Sequence, residues 1–178
     1  LPISLDEGLV KMTKDLNGLV ARLTKESFYW SSLQVNRNTK AVEHRDQNNE
    51  GPSFIMSGGP HSDGDFFVRT ADGVLQQHDI RGRPIITDGR VLHGHLEYEG
   101  DRCSIVAFTH AAFWQISESQ RESLGNLGFP LPCNQEDMRC DQPVMELEAY
   151  VASRQHNECQ NLNEEECDEA YPRCIWIA

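Results

Sequence analysis

Short β-favouring runs at residues 28–37, 53–57, 65–69, 84–87 and 103–109 constrain this chain more than any other feature. Gly58-Gly59-Pro60, Asp72-Gly73 and Asp88-Gly89 punctuate them as turns. Strands this short at this spacing predict an antiparallel barrel or sandwich. Helices flank the strands. Leu5, Leu9, Met12, Leu16, Leu19 and Leu23 recur at steps of three and four, the pattern of an amphipathic helix with one core face. Ser117 and Gln120 form a capping-box pattern that opens a short helix ending near Gly125 or Gly128. Phe129-Pro130-Leu131-Pro132 then breaks the chain, and the expected boundary falls there, giving a domain over 1–132 and an appendage over 133–178. In the appendage, residues 144–154 suit a helix.

Charge and cysteine follow the same division. Residues 1–132 hold 13 Lys+Arg against 17 Asp+Glu, a net of −4. Residues 133–178 hold 3 against 11, a net of −8, so most of the total of −12 lies in the appendage. Acidity of this kind argues against generic binding to phosphate backbones. Five of the six cysteines, Cys133, Cys140, Cys159, Cys167 and Cys174, also lie there, and only Cys103 is in the body. No C-x-x-C pair occurs, which disfavours structural zinc. Five clustered cysteines are compatible with two disulfides and one thiol, or with free thiols throughout. Mean hydropathy is −0.56 and no apolar run approaches the roughly 20 residues of a membrane span. Residues 1–15 lack the basic start and apolar centre of a secretory signal, so an intracellular protein, nuclear or cytoplasmic, is the expectation. The chain opens on Leu1, which leaves room for an upstream segment.

Within the body, His44-Arg45-Asp46 is followed by His93 and then by Arg102. Two residues apart on a strand or its edge, His44 and Asp46 point the same way and can reach one ion. His93 would come from a later strand folded back beside them. Two imidazoles and one carboxylate on one face of an ion, with open positions opposite, are the ligand set of non-haem Fe(II) oxygenases. Arg102 carries a planar fork suited to a cosubstrate with a distal carboxylate. Ser104, on the same strand face, adds a hydroxyl to that grip. Fe(II) and 2-oxoglutarate are therefore the expected cofactor and cosubstrate, with O2 as co-reactant.

Two rivals exist. His61-Ser62-Asp63 also reads H-x-D, but it lies only 30 residues before His93 and sits among Gly, Pro and Ser, where a turn is simpler. His95 can replace His93, although His93 has the longer reach to Arg102. The alternation Arg102, Ser104, Val106, Phe108, His110 puts Phe108 and His110 on the face of the arginine, beside any substrate held there.

The run Ser32-Leu33-Gln34-Val35-Asn36, the run from His44 through Asn49 to Ser53, and the run from Gly100 to His110 resemble the TET/JBP branch of 2-oxoglutarate oxygenases. These are the methylcytosine and thymine oxidases of DNA and their relatives in mobile elements. The resemblance spans about residues 28–115. It implies that Asn49 helps hold 2-oxoglutarate, that Arg102 and Ser104 grip its far carboxylate, and that Phe108 and His110 contact a flipped base. The chain departs from the family in having Asp63-Gly64-Asp65 where Gly-Gly is common, and in lacking an evident basic DNA-gripping segment.

Together these readings predict a mainly β fold with flanking helices around a double-stranded β-helix, a jelly-roll or cupin-like core. They predict an oxygenase with His44, Asp46 and His93 on Fe(II), oxidising 5-methylcytosine or thymine in DNA. The alternative is a hydroxylase of a protein or small molecule.

Overall fold

The computed structural model of the chain describes residues 6–25, 27–139 and 144–160, the last six as backbone only. Ten strands and three α-helices are among the described residues. The larger sheet contains β1 (Ser32–Arg37), β2 (Asn49–Gly58), β6 (Ile85–Asp88), β9 (Cys103–His110) and β10 (Val144–Glu146), in the order β1-β9-β2-β6-β10. A smaller sheet runs β5-β4-β7, with β4 at Phe66–Arg69, β5 at Leu75–His78 and β7 at Leu92–His95. On the free side of β7, His44 forms an isolated antiparallel bridge with His93. The chain thus crosses between two antiparallel sheets, β1 large, His44 small, β2 large, β4 and β5 small, β6 large, β7 small, β9 large. This winding is that of a double-stranded β-helix, the jelly roll. A two-stranded ribbon, β3 (His61–Asp63) with β8 (Tyr98–Gly100), closes one end.

Alternation along the larger sheet assigns each side chain to a layer. Phe54 lies opposite both Ala107 and Ile86, and all three are fully buried on the outer face. There they pack with Val20, Phe28, Trp30, Leu147, Tyr150 and Val151 under the helices. One residue on, Ile55 lies opposite Val106 and Ile85 and faces inward, where Ile55 and Ile85 meet Phe66 and Val68 of the smaller sheet. Between Glu50 and Phe54 the register of β2 on β9 shifts. Pro52, which has no N–H to donate, sits inside that bulge, and Gly51 there takes φ +67° with the Met138 carbonyl 2.4 Å from where a Cβ would be.

Helix α1 (Glu7–Leu23) begins at Asp6, whose side chain accepts from the Leu9 N–H at 2.9 Å. Its N-terminal half departs from the sequence expectation, because Leu9 and Met12 are exposed. The face that packs begins at Asn17, which is fully buried and bridges Trp30 Nε1 at 2.7 Å and the Leu127 carbonyl at 2.8 Å. Hydropathy alone does not mark a polar core residue of this kind. Helix α2 (Glu118–Asn126) has the capping box expected of Ser117 and Gln120. Beyond the Phe129-Pro130-Leu131-Pro132 break, the expected helix at 144–154 splits into strand β10 and helix α3 (Leu147–Gln160). β10 pairs with β6, and Leu147, Tyr150 and Val151 belong to the outer core, so this stretch of the appendage is joined to the body. Cys103 and Cys133 are free and exposed. The disulfides considered for the tail involve residues outside those described. Among the described residues no helix is long and apolar enough to cross a membrane.

Candidate metal centre

His44, Asp46 and His93 each turn one ligand atom toward a common point, all within 4.8 Å of one another. Strand pairing fixes this. The His44 N–H donates to the His93 carbonyl and the His93 N–H to the His44 carbonyl, both at 2.9 Å. The Asp46 N–H donates to the Gly89 carbonyl at 2.8 Å. Two segments far apart in sequence are thereby locked in register at these three residues.

The tautomers are set as well. His44 Nδ1 lies 2.7 Å from the Val42 carbonyl and His93 Nδ1 2.8 Å from the Val91 carbonyl. A carbonyl only accepts, so each Nδ1 carries a proton, and in the neutral ring each Nε2 presents a lone pair. Those Nε2 atoms stand 3.5 Å and 3.7 Å from the two Asp46 oxygens, too long for hydrogen bonds. A pair of neutral imidazoles tied back by their second nitrogen, beside one carboxylate, is a donor set that fits a divalent transition metal. Burial holds the His93 imidazole below its ordinary pKa, and adjacent His44 pushes it further down, against the Val91 carbonyl and Asp46. The imidazole therefore keeps its neutral form to lower pH than an ordinary histidine. Asn49 Nδ2 donates to Asp46 Oδ2 at 3.2 Å and orients the carboxylate. Gly89 makes room for both: a Cβ there would lie 3.1 Å from Asn49 Nδ2 and 3.2 Å from Asp46 Oδ2.

These three side chains open into a cavity of about 550 Å³ between the two sheets. Arg102, Ser104, Val106, Phe108 and His110 all line it, as their alternation on β9 predicts. Arg102 is 3% exposed, and its side chain has no hydrogen-bond or carboxylate partner among the described residues, with Nε wholly without an acceptor. Burial lowers its pKa. An unpaired buried guanidinium is costly, and from its place in the cavity wall it could take an anion. Ser104 Oγ accepts from Asn36 Nδ2 at 3.4 Å, leaving its own proton for a ligand. His110 Nδ1 accepts from the Ala112 N–H at 3.0 Å, so its Nε2 carries the proton in the neutral ring.

The rival residues have other roles. His61–Asp63 is a strand, not the expected turn, because it pairs with β8, and it lies outside the ligand group. His95 Nε2 accepts from the Ala41 N–H at 3.0 Å. Gln34 and Asn36 on β1, given no site role from the sequence, line the cavity beside their β9 partners Val106 and Ser104. The signal was present: they alternate on one face of the 28–37 run.

No family model matches this chain, and no curated protein does. Among solved structures, a Pseudomonas putida prolyl-4-hydroxylase is similar at 15% identity and a TM-score of 0.37, over 62% of this chain and 70% of its own. The heme domain of CooA from Carboxydothermus hydrogenoformans is similar at 10% identity and a TM-score of 0.30, over 78% and 87%. ToxT from Vibrio cholerae O395 is similar at 13% identity and a TM-score of 0.32, over 83% and 59%. Likenesses at this level assign neither family nor activity. What stands on the chain's own geometry is a jelly roll with a His-Asp-His group able to hold a metal.

Proposed function

We propose that the protein is an Fe(II)- and 2-oxoglutarate-dependent dioxygenase that hydroxylates a C–H bond. One observation carries the reading. A cavity between the sheets has the tautomer-fixed His44, Asp46 and His93 on its wall and, on the same wall system, a buried Arg102 with no acid of its own. His44, Asp46 and His93 would hold the iron. Arg102 and Ser104 would grip the distal carboxylate of 2-oxoglutarate, and Asn49 steadies Asp46 beside it. Bound there, Fe(II) with 2-oxoglutarate and O2 supplies oxidising power for placing one oxygen atom on a C–H carbon as 2-oxoglutarate becomes succinate and CO2. Phe108 and His110 would stand beside a substrate in this cavity, one offering a ring face and the other an N–H.

The finer reading is a nucleobase substrate, 5-methylcytosine or thymine, flipped onto Phe108. A second reading, a protein or small-molecule substrate, has an observation in its favour. A nucleobase substrate calls for a basic rim, for which the sequence offers Arg37, Arg45, Arg81, Arg83 and Arg90. Arg37 is held by Asp101 at 2.9 Å and Arg90 by Asp88 at 2.9 Å, and Arg81 donates to the His61 carbonyl at 2.6 Å. Of the five, Arg45 alone lines the cavity.

The test is turnover with Fe(II), 2-oxoglutarate and O2, with and without methylated duplex DNA, reading succinate and oxidised bases by mass spectrometry against a His44→Ala blank. Oxidised base above the blank establishes the nucleobase substrate. Succinate indifferent to DNA moves the substrate to proteins or metabolites. No succinate in either arm weakens the enzyme reading and moves the test to Fe(II) binding.

A further inference from the structure

Arg102 poses a positioning problem. A guanidinium that is to receive an incoming carboxylate must be held in place without being neutralised. An acid partner would hold it and also cancel its charge. Of the acids near it in sequence, Glu99 is exposed on β8, and Asp101 and Glu97 are occupied elsewhere. Asp101 is gripped by Arg37 through two bonds of 2.9 Å and 3.2 Å and by Asn38 Nδ2 at 2.8 Å. Glu97 is taken by Lys40 at 2.5 Å. What faces the guanidinium is an aromatic ring: Arg102 Cζ lies 5.4 Å from the centroid of Tyr98.

That ring is itself fixed. His95 packs on it at 5.8 Å between centroids and His61 meets it edge-on at 6.1 Å. Gly64, at φ +82°, lets the backbone come close, since a Cβ there would sit 2.9 Å from Tyr98 Cβ and 3.5 Å from Arg102 Nε. The Asp63-Gly64-Asp65 departure thus falls where the ring is seated. Phenylalanine at this place would present the same face.

We propose that Tyr98 is the positioning residue of the carboxylate clamp, holding the Arg102 guanidinium by its ring face so that the full positive charge remains for the ligand. This rests on the reading of Arg102 as the 2-oxoglutarate clamp. A cation–π contact of a desolvated guanidinium reaches about 2 kcal/mol. Its loss should weaken 2-oxoglutarate binding roughly five- to thirty-fold.

The experiment is calorimetry under argon on the Fe(II)-loaded chain, comparing the wild type with Tyr98→Leu and Tyr98→Phe and titrating 2-oxoglutarate and then pyruvate, which lacks the distal carboxylate. Fe(II) affinity is read alongside. The expected result is a weakened 2-oxoglutarate Kd in Tyr98→Leu, near wild-type binding in Tyr98→Phe, and unchanged pyruvate and Fe(II) affinity in both. Equal 2-oxoglutarate binding by wild type and Tyr98→Leu overturns the proposal while leaving the clamp reading intact. So does equal weakening for pyruvate, which marks general damage. Loss of binding in Tyr98→Phe also overturns it, because the phenol and not the ring face would then matter. Absence of 2-oxoglutarate binding to the wild type overturns the clamp reading and this inference with it.

Discussion

Replacing Arg102 by methionine should make the ligand-free protein more stable while abolishing 2-oxoglutarate binding. Methionine keeps most of the stem volume and removes the charge. At 3% exposure overall, with Nε buried and unpaired and no acid partner, the side chain has given up hydration and regained little. The effective penalty for an ion in that situation is several kcal/mol. Against it stands the contact with Tyr98, worth roughly 0.5–2 kcal/mol. The difference leaves a net gain of about 1–2 kcal/mol for Arg102→Met, within the range found when buried ions give way to apolar side chains. In a domain of this size 1 kcal/mol moves Tm by about 2–4 °C, so a rise of about 2–8 °C is expected. Thermal unfolding followed by circular dichroism, with no metal or 2-oxoglutarate present, measures it. A fall in Tm of similar size would show that Arg102 supports the fold, and would refute the reasoning that its charge is kept for a ligand.

Gly89→Ala would place a methyl 3.2 Å from Asp46 Oδ2 and 3.1 Å from Asn49 Nδ2, displacing the ligand carboxylate by a few tenths of an ångström. Metal affinity should fall roughly tenfold, as for other changes just behind a ligand, with little change in the metal-free melt; Co(II) titration checks this. Asn17→Ala removes the acceptor of Trp30 Nε1 in the core and should cost about 2–3 kcal/mol in urea unfolding. The metal-free protein should lose stability as pH falls below about 6.5, the ordinary histidine value, because His93 and His95 are both held lower by burial and the unfolded chain takes up those protons first. Urea midpoints between pH 7.5 and 5 should therefore decline, and less steeply in His95→Gln.

Much of this site was legible because it obeys two-residue periodicity. His44 with Asp46, and Arg102 through His110, project from extended backbone, so spacing alone puts them on shared faces. The pairing that brings His93 to His44 is long-range, and only the residue types anticipated it. Tyr98 left no trace in the sequence, since its role depends on Gly64, between β3 and β4, and His95 of β7 converging on it. Asn17 was hidden for a different reason: a polar residue inside a helix reads as surface unless its partners, Trp30 and Leu127, are known. The strands β5, with mostly exposed Leu75–His78, and β8 carry too little apolar pattern to be read locally. They exist because β4 and β3 offer them an edge.

The most direct measurement is calorimetric titration of 2-oxoglutarate into the protein under argon, with and without Fe(II). The account predicts one 2-oxoglutarate per chain when Fe(II) is present, with binding lost without iron, in His44→Ala and in Arg102→Met. Binding that ignores the iron, or no binding by the iron-loaded wild type, would contradict it.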